Sequence, residues 1–367
     1  MIRTEIRAHE GWIAFSRFMQ LALYAPGMGY YSAGAAKLGG SGDFVTAPEI
    51  SRLFGRTLAR QIGEIVRLTG GDILELGAGS GKLARDLLPE LEILGALPAR
   101  YAILEVSADL RERQQASIAQ LAPPLAERVL WLDRLPQDFS GAILANEVFD
   151  AIPVHLVAWR NGGLYERGVG LAGDDFAWRE KPLLDGALFQ AAHALPVQTV
   201  SVSEINLLAQ HLIESVALIL RHGLLLVIDY GFPAREYYHP QRSGGTLMCH
   251  YRQHAHADPF YLPGLQDITA HVDFTALAST GKRARLEVLG YSTQAEFLIQ
   301  CGILDLLSQT PATETALYLP LSSQAQTLLS PAEMGELFKV LALGRGISGP
   351  LAGFVSSQGA ERLGYAS

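Results

Sequence analysis

The chain has 367 residues, 49% of them hydrophobic and 18% charged, which is room for one large elaborated domain or two smaller ones with a substantial core. Its net charge of −8 argues against the basic footprint of a nucleic-acid binder, while leaving an acidic surface that suits an arginine- or lysine-bearing protein segment. Cys249 and Cys301 are the two cysteines, too far apart for a C-x-x-C metal site, and no apolar run is long enough to span a membrane. The opening residues MIRTEIRAHEGWIAF lack an apolar signal core, so the expected compartment is the cytoplasm, with no membrane and no nucleic-acid partner.

Residues 11–24 place Trp12, Phe15, Phe18, Met19 and Ala22 at helical spacing, which predicts an amphipathic helix. Ala25 to Gly42 then holds six glycines in eighteen residues, and a loop of that length in a compact chain points to function. Its tyrosines and the segment Asp43 to Glu49 that follows suggest an ordered lid. Leu53, Phe54, Leu58, Ile62, Ile65 and Val66 predict a helix over 50–68. The alternating part begins with a strand at 72–77, a helix at 81–95, a strand at 101–106 and a helix at 108–121. Strands at 128–132 and 141–146 follow, so the pattern is that of a parallel sheet with crossover helices. From Val154 to Phe176 short alternating runs with turns at Asn161-Gly162-Gly163 and Gly173-Asp174 read as antiparallel hairpins. A helix at 204–221, a buried strand at 223–230, a strand at 284–289, a helix at 293–303 and a last strand within 346–357 complete the expectation.

The stretch DILELGAGSG, Asp72 to Gly81, joins an apolar strand through an acidic residue to a glycine-spaced turn and a helix, the form of a nucleotide-binding α/β domain. Three site types share this form. A dinucleotide turn has G-x-G-x-x-G, but Gly77, Gly79 and Gly81 follow G-x-G-x-G and Lys82 stands where the third glycine belongs. A phosphate-binding P-loop has four residues between its glycines, whereas three separate Gly77 from Gly81, and Leu83 follows the lysine. The spacing suits the first motif of an S-adenosylmethionine (SAM) methyltransferase, with Glu75 facing a cationic ligand and Gly77, Ala78, Gly79 and Gly81 admitting it to the backbone. A dinucleotide site and a purely structural turn remain the alternatives.

Ligands of open α/β sheets bind beyond the carboxyl ends of the strands, so each strand end is a candidate. Glu105, 28 positions beyond Gly77, can accept both hydroxyls of a ribose, or simply be a solvated strand-end acid. Asp133 is placed to meet an adenine amino group, with solvation as the equal alternative. Asn146-Glu147-Val148-Phe149-Asp150 follows the fourth strand without the Asn-Pro-Pro-Tyr of amide methylases. Two carboxylates there, Glu147 and Asp150, match the planar donor fork of a guanidinium, unless one caps the next helix. Asp43, Thr46 and Glu49 lie in the N-terminal loop, and Asp229 ends the strand at 223–230. His250, His254, His256, Asp267, His271 and Asp273 are dense in His and Asp, but no H-E-x-x-H or similar ligand motif occurs. Anchoring or acceptor recognition by Asp229, His271 and Asp273 is expected there, without a metal.

The runs Phe18 to Tyr31, Gly42 to Glu49, Asn146 to Pro153, Asp229 to Phe232 and Gln266 to Phe274 resemble the MidA family of class I SAM-dependent methyltransferases, which includes the mitochondrial complex I assembly factor. The resemblance covers nearly the whole chain. It implies a Rossmann-like, seven-stranded α/β sheet with a helical N-terminal extension and inserted hairpins plus a helix. The implied division is 1–70 for the extension and lid loop, 71–153 and 204–367 for the methyltransferase domain, and 154–203 for the insertion. It also implies, through the mitochondrial relatives, N-methylation of an arginine on a protein substrate, in a bacterial protein that is a monomer or homodimer. Glu75, Gly77, Ala78, Gly79, Gly81, Glu105, Asp133, Asn146, Asp43 and Thr46 are the expected cofactor residues, Glu147 and Asp150 the catalytic pair, and Glu49, Asp229, His271 and Asp273 the acceptor contacts. Methylation of a small molecule or another side chain, and a SAM-binding assembly chaperone with little turnover, are the competing expectations.

Overall fold

The computed structural model describes residues 1–32, 45–160, 162–195, 197, 201–355 and 359–364. Asp43 and Asn161 therefore lie outside the described residues. Seven strands form the path of the main sheet: β1 Asp72–Leu76, β2 Tyr101–Leu104, β3 Val129–Leu132, β4 Phe139–Asn146, β5 Leu220–Phe232, β6 Glu287–Thr293 and β7 Phe338–Arg345, and the two-residue strand Val272–Asp273 pairs parallel with the end of β5 as an eighth. The seven lie in the order β6-β7-β5-β4-β1-β2-β3. The first five are mutually parallel, and β7 runs antiparallel to both β5 and β6. Strand order reverses between β1 and β4, and that switch point opens a crevice at the carboxyl ends where a ligand is received.

The strands are apolar on both faces because helices cover both faces. Along β1, Ile73 joins one core with the helices Arg52–Thr69 and Lys82–Ile93, while Leu74 joins the opposite core with Leu207–Ile219 and Phe274–Arg283. The same alternation runs through Leu224 and Leu225 of β5 and through Ala342 and Leu343 of β7. A third core lies beside the sheet. It joins Phe15, Phe18, Met19 and Leu23 of the helix Phe15–Tyr24 to Val154, Leu156, Val169 and Ile268. Ile13–Ala14 pairs antiparallel with Gly163–Ala172, which also pairs with His155–Arg160 and Asp175–Pro182, and Ser201–Ile205 completes this second sheet.

Several boundaries differ from the sequence expectation. Residues 11–14 are not helical, because Ile13 and Ala14 hydrogen-bond to the inserted hairpin before the helix starts at Phe15. The helix expected over 204–221 is Leu207–Ile219; Asn206 caps it through its side chain, and Glu204 and Ile205 belong to a strand. The final strand is Phe338–Arg345 and not within 346–357, since FKVLALGR is a continuous apolar run buried between two strands. The helix Thr315–Leu329 was not foreseen; Pro320 interrupts its pattern, and its apolar positions are not confined to one face.

Candidate active site

The glycine turn leaves β1 at Leu76 and enters the helix Lys82–Ile93 through Gly81. Gly77 has φ +63°, and a Cβ there would stand 3.3 Å from the Val148 side chain, so backbone alone fits at that point. Gly81 has φ +77° and would place a Cβ 3.2 Å from Gln114 Cα, which ties its role to packing against the helix Ala108–Ile118. Gly77, Ala78 and Gly79 line a cavity of about 260 Å³; Gly81 does not.

Two carboxylates stand behind this turn. Glu75 is buried, and its Oε2 accepts from the Tyr101 hydroxyl at 2.8 Å. Burial pushes its pKa up to about 7, against the lowering effect of that hydrogen bond. Glu105, at the end of β2, accepts from Ser107 N at 2.9 Å and from Gln114 Nε2 at 2.9 Å. Burial raises its pKa as well. Gln114 is itself fully buried: it also donates to Gly79 O at 3.1 Å and accepts from Trp131 Nε1 at 3.0 Å. One amide thereby fixes the glycine turn, Glu105 and β3 relative to each other. Beside Glu105, Val106 is 82% exposed, an apolar surface turned toward the cavity.

On the β4 side, Asn146 and Glu147 line the cavity. Glu147 has φ +52°, an unusual conformation for a non-glycine residue, held by its amide donating to Ile228 O at 2.9 Å. Its Oε1 accepts from Ala47 N at 3.0 Å and Asn146 Nδ2 at 3.1 Å. Burial pushes its pKa up to about 8, and the neighbouring Asp150 charge adds to the rise. Asn146 Oδ1 is enclosed, with no hydrogen-bond partner among the described residues.

The third wall comes from the N-terminal extension. Thr46 precedes the short helix Ala47–Ile50 without a side-chain capping bond, and Glu49 on that helix accepts from the Ser80 hydroxyl in the glycine turn. Thr46 and Glu49 both line the cavity. Tyr24 and Tyr31 stack with ring centroids 5.5 Å apart and line it too. The Tyr24 hydroxyl donates to Ala151 O at 2.9 Å, the Tyr31 hydroxyl donates to Asp267 at 3.1 Å, and Ser107 Oγ donates to Tyr31 O at 2.7 Å.

Besides Gly81, five expected residues are not in this cavity. Asp133 points outward and pairs with Arg111 at 2.8 Å, its side chain 86% exposed, because β3 ends one strand beyond the crevice. Asp150 is buried behind Glu147, with burial lifting its pKa to about 6 and the Tyr230 hydroxyl bonded to it. Asp229 is fully buried and accepts from the amides of Phe149, Asp150 and Tyr230, so it pins the turn that carries Glu147 and contacts no acceptor. His271 stacks on Phe232 at 5.3 Å, and burial lowers its pKa to about 4. Asp273 caps the helix Phe274–Arg283 through Ala276 N at 3.0 Å. Both line a separate small cavity with Glu204 and Tyr237. Tyr24, Tyr31, Ser80, Ser107, Gln114 and Val106 were missed; only Tyr31 carried a sequence signal, as an aromatic in a functional loop.

Residues 57–292 match a protein family described as "Putative S-adenosyl-L-methionine-dependent methyltransferase". A Burkholderia thailandensis protein whose crystal structure holds S-adenosyl-homocysteine is 46% identical, with TM-score 0.93 over 98% of this chain and 94% of that one. The chain is a member of the MidA family of class I SAM-dependent methyltransferases. The mitochondrial protein arginine methyltransferase NDUFAF7 of Bos taurus is 31% identical over 91% of this chain and 80% of its own length. The Drosophila melanogaster homologue is 28% identical over 92% and 82%. SAM is the cofactor of this MidA-family chain. The cavity suits it: open backbone at Gly77, an exposed apolar face at Val106, and buried carboxylates at Glu75 and Glu105.

Proposed function

We propose that this chain transfers a methyl group from SAM to a guanidinium nitrogen of an arginine in a protein substrate. The observation that carries the reading is that carboxylates from two different elements line one cavity. Glu147 comes from the end of β4 and Glu49 from the helix Ala47–Ile50, whose first amide bonds to Glu147. The acceptor pair is thus Glu147 with Glu49, in place of Glu147 with Asp150. The relatives named protein arginine methyltransferase support an arginine acceptor.

SAM supplies an electrophilic methyl carbon whose leaving group is a neutral thioether, so the protein's task is alignment. Glu105 is assigned the ribose hydroxyls and Glu75 the cationic end of the cofactor. Glu147 and Glu49 hold the guanidinium by its N–H groups and orient one nitrogen toward the methyl-bearing end of the cavity. The attacked nitrogen sheds a proton, and Glu147, whose buried carboxylate is more basic than an ordinary one, accepts it. Tyr24 and Tyr31 exclude water from that side.

The test uses the purified chain, methyl-tritiated SAM and an extract of cells lacking the gene, followed by acid hydrolysis of the labelled protein. Label in methylarginine is expected, falling about a hundredfold or more with Glu147→Gln. Label in another residue, or only in small molecules, refutes the arginine reading; no label with SAM bound supports an assembly role with little turnover.

A further inference from the structure

Next to the active cavity runs a second depression of about 470 Å³, between the Glu49–Arg52 segment and the helix Thr315–Leu329. Glu49 and Lys82 line both spaces, so the groove and the cavity adjoin at these two side chains. Lys82 is neutralised by its ion pair with Asp86, which leaves Glu49 as the charge at the junction. Beyond it the groove wall is apolar: Ile50, Leu317, Pro320 and Leu321. Leu317 is 60% exposed, in the first turn of its helix, on the same stripe as Leu321 and the buried Leu328. Pro320 has no amide to bond the carbonyl of Ala316, which also lines the groove, so the helix offers that acceptor outward. At the groove's edge Arg52 is exposed and makes no ion pair among the described residues.

We propose that this groove binds the substrate protein as an extended segment whose arginine enters the cavity past Glu49 while a neighbouring aliphatic side chain packs on Leu317 and an acidic one pairs with Arg52. This rests on the arginine reading above and adds the recognition that reading lacks. The shared side chains Glu49 and Lys82 set the distance. A chain rising about 3.3–3.6 Å per residue brings the aliphatic anchor within a few positions of the arginine. The charges select as well: Glu49 takes a cation at the junction, and Arg52 takes an anion beyond it. A free small molecule would need the cavity alone and leave an exposed leucine, a helix carbonyl and an unpaired arginine without a purpose.

The experiment compares wild type, Leu317→Asp and Arg52→Glu on short synthetic peptides with one central arginine and varied neighbours, and on acetyl-arginine amide, which is too short to reach the groove. Both substituted positions are exposed, so the fold is retained. Wild type is expected to prefer peptides with an aliphatic and an acidic neighbour. Leu317→Asp should raise their KM about tenfold or more, the ratio that burial of one aliphatic side chain produces, with kcat and SAM affinity unchanged. Arg52→Glu should turn the acidic preference into a basic one, and neither variant should alter acetyl-arginine amide. Arginine peptides used equally whatever their neighbours, unchanged KM in both variants, or equal losses on acetyl-arginine amide would overturn the groove and leave the arginine reading standing. No arginine compound methylated while SAM is bound would overturn that reading, and the groove with it.

Discussion

Replacing Glu147 with glutamine should make the protein inactive and, at alkaline pH, more stable. The side chain keeps its shape, and an amide oxygen can still accept from Ala47 N and Asn146 Nδ2. What disappears is the need to ionise a carboxylate among Asp150, Asp229 and apolar walls. The folded-state pKa is raised from 4.5 to about 8, so the protonated form carries no penalty below pH 4.5. The cost grows as pH rises through that interval and is complete above pH 8. Without solvent it would reach ~5 kcal/mol; the side chain faces a water-accessible cavity, and screening reduces this to about 3 kcal/mol. For 367 residues the unfolding entropy is on the order of 0.8 kcal/mol/K. Glu147→Gln should therefore melt ~4 °C above wild type at pH 9 and within ~1 °C of it at pH 5. Scanning calorimetry over that pH range decides the matter. A Tm difference that does not change with pH, or a variant less stable at pH 9, would refute the burial argument for Glu147.

Gly77→Val puts a β-branched residue at φ +63° and drives its side chain toward Val148, so calorimetric SAM affinity should fall about a hundredfold or more. Equal binding would remove the glycine turn from the cofactor site. Because Glu75 ionises near pH 7, SAM should bind about tenfold tighter at pH 8 than at pH 6. Tyr101→Phe, which deletes the hydroxyl donor, should move that midpoint upward; a pH-independent affinity in both proteins would detach Glu75 from the ligand. Asp133→Ala should change SAM affinity less than about twofold, whereas Glu105→Ala should cost about tenfold or more. Comparable losses would return Asp133 to the site.

Features set by local pattern could be read from the sequence: the strand into the Gly77 turn, the helix after it, and the strand ending at Asn146-Glu147. Each depends on apolar periodicity or on a conformation that few residues adopt. Features set by tertiary contact could not. Asp150 and Glu147 are three apart and chemically alike, yet only the second faces the cavity, because Asp229, some eighty residues away, gathers the amides of Phe149 and Asp150 and turns the chain. Gln114 is indistinguishable in sequence from the exposed glutamine next to it, and its burial follows only from where the helix Ala108–Ile118 lands. Glu49 was picked as an acceptor contact, but its bond to Ser80 depends on a docked extension that no local pattern announces.

The pairing of Ile13–Ala14 with Gly168 and Val169 also bears on how the molecule is made. During synthesis the first helix emerges long before its partners, and the third core closes only when Cys249, Ile268 and Ala270 have left the ribosome. The β1–β4 half of the sheet, built from neighbouring segments, can collapse meanwhile. The wall bearing Tyr24 and Tyr31 is thus the last part of the cavity to be completed. A chain stalled before residue 268 would carry the glycine turn without that wall, and mature cofactor binding then becomes a mark of translation past Ala270.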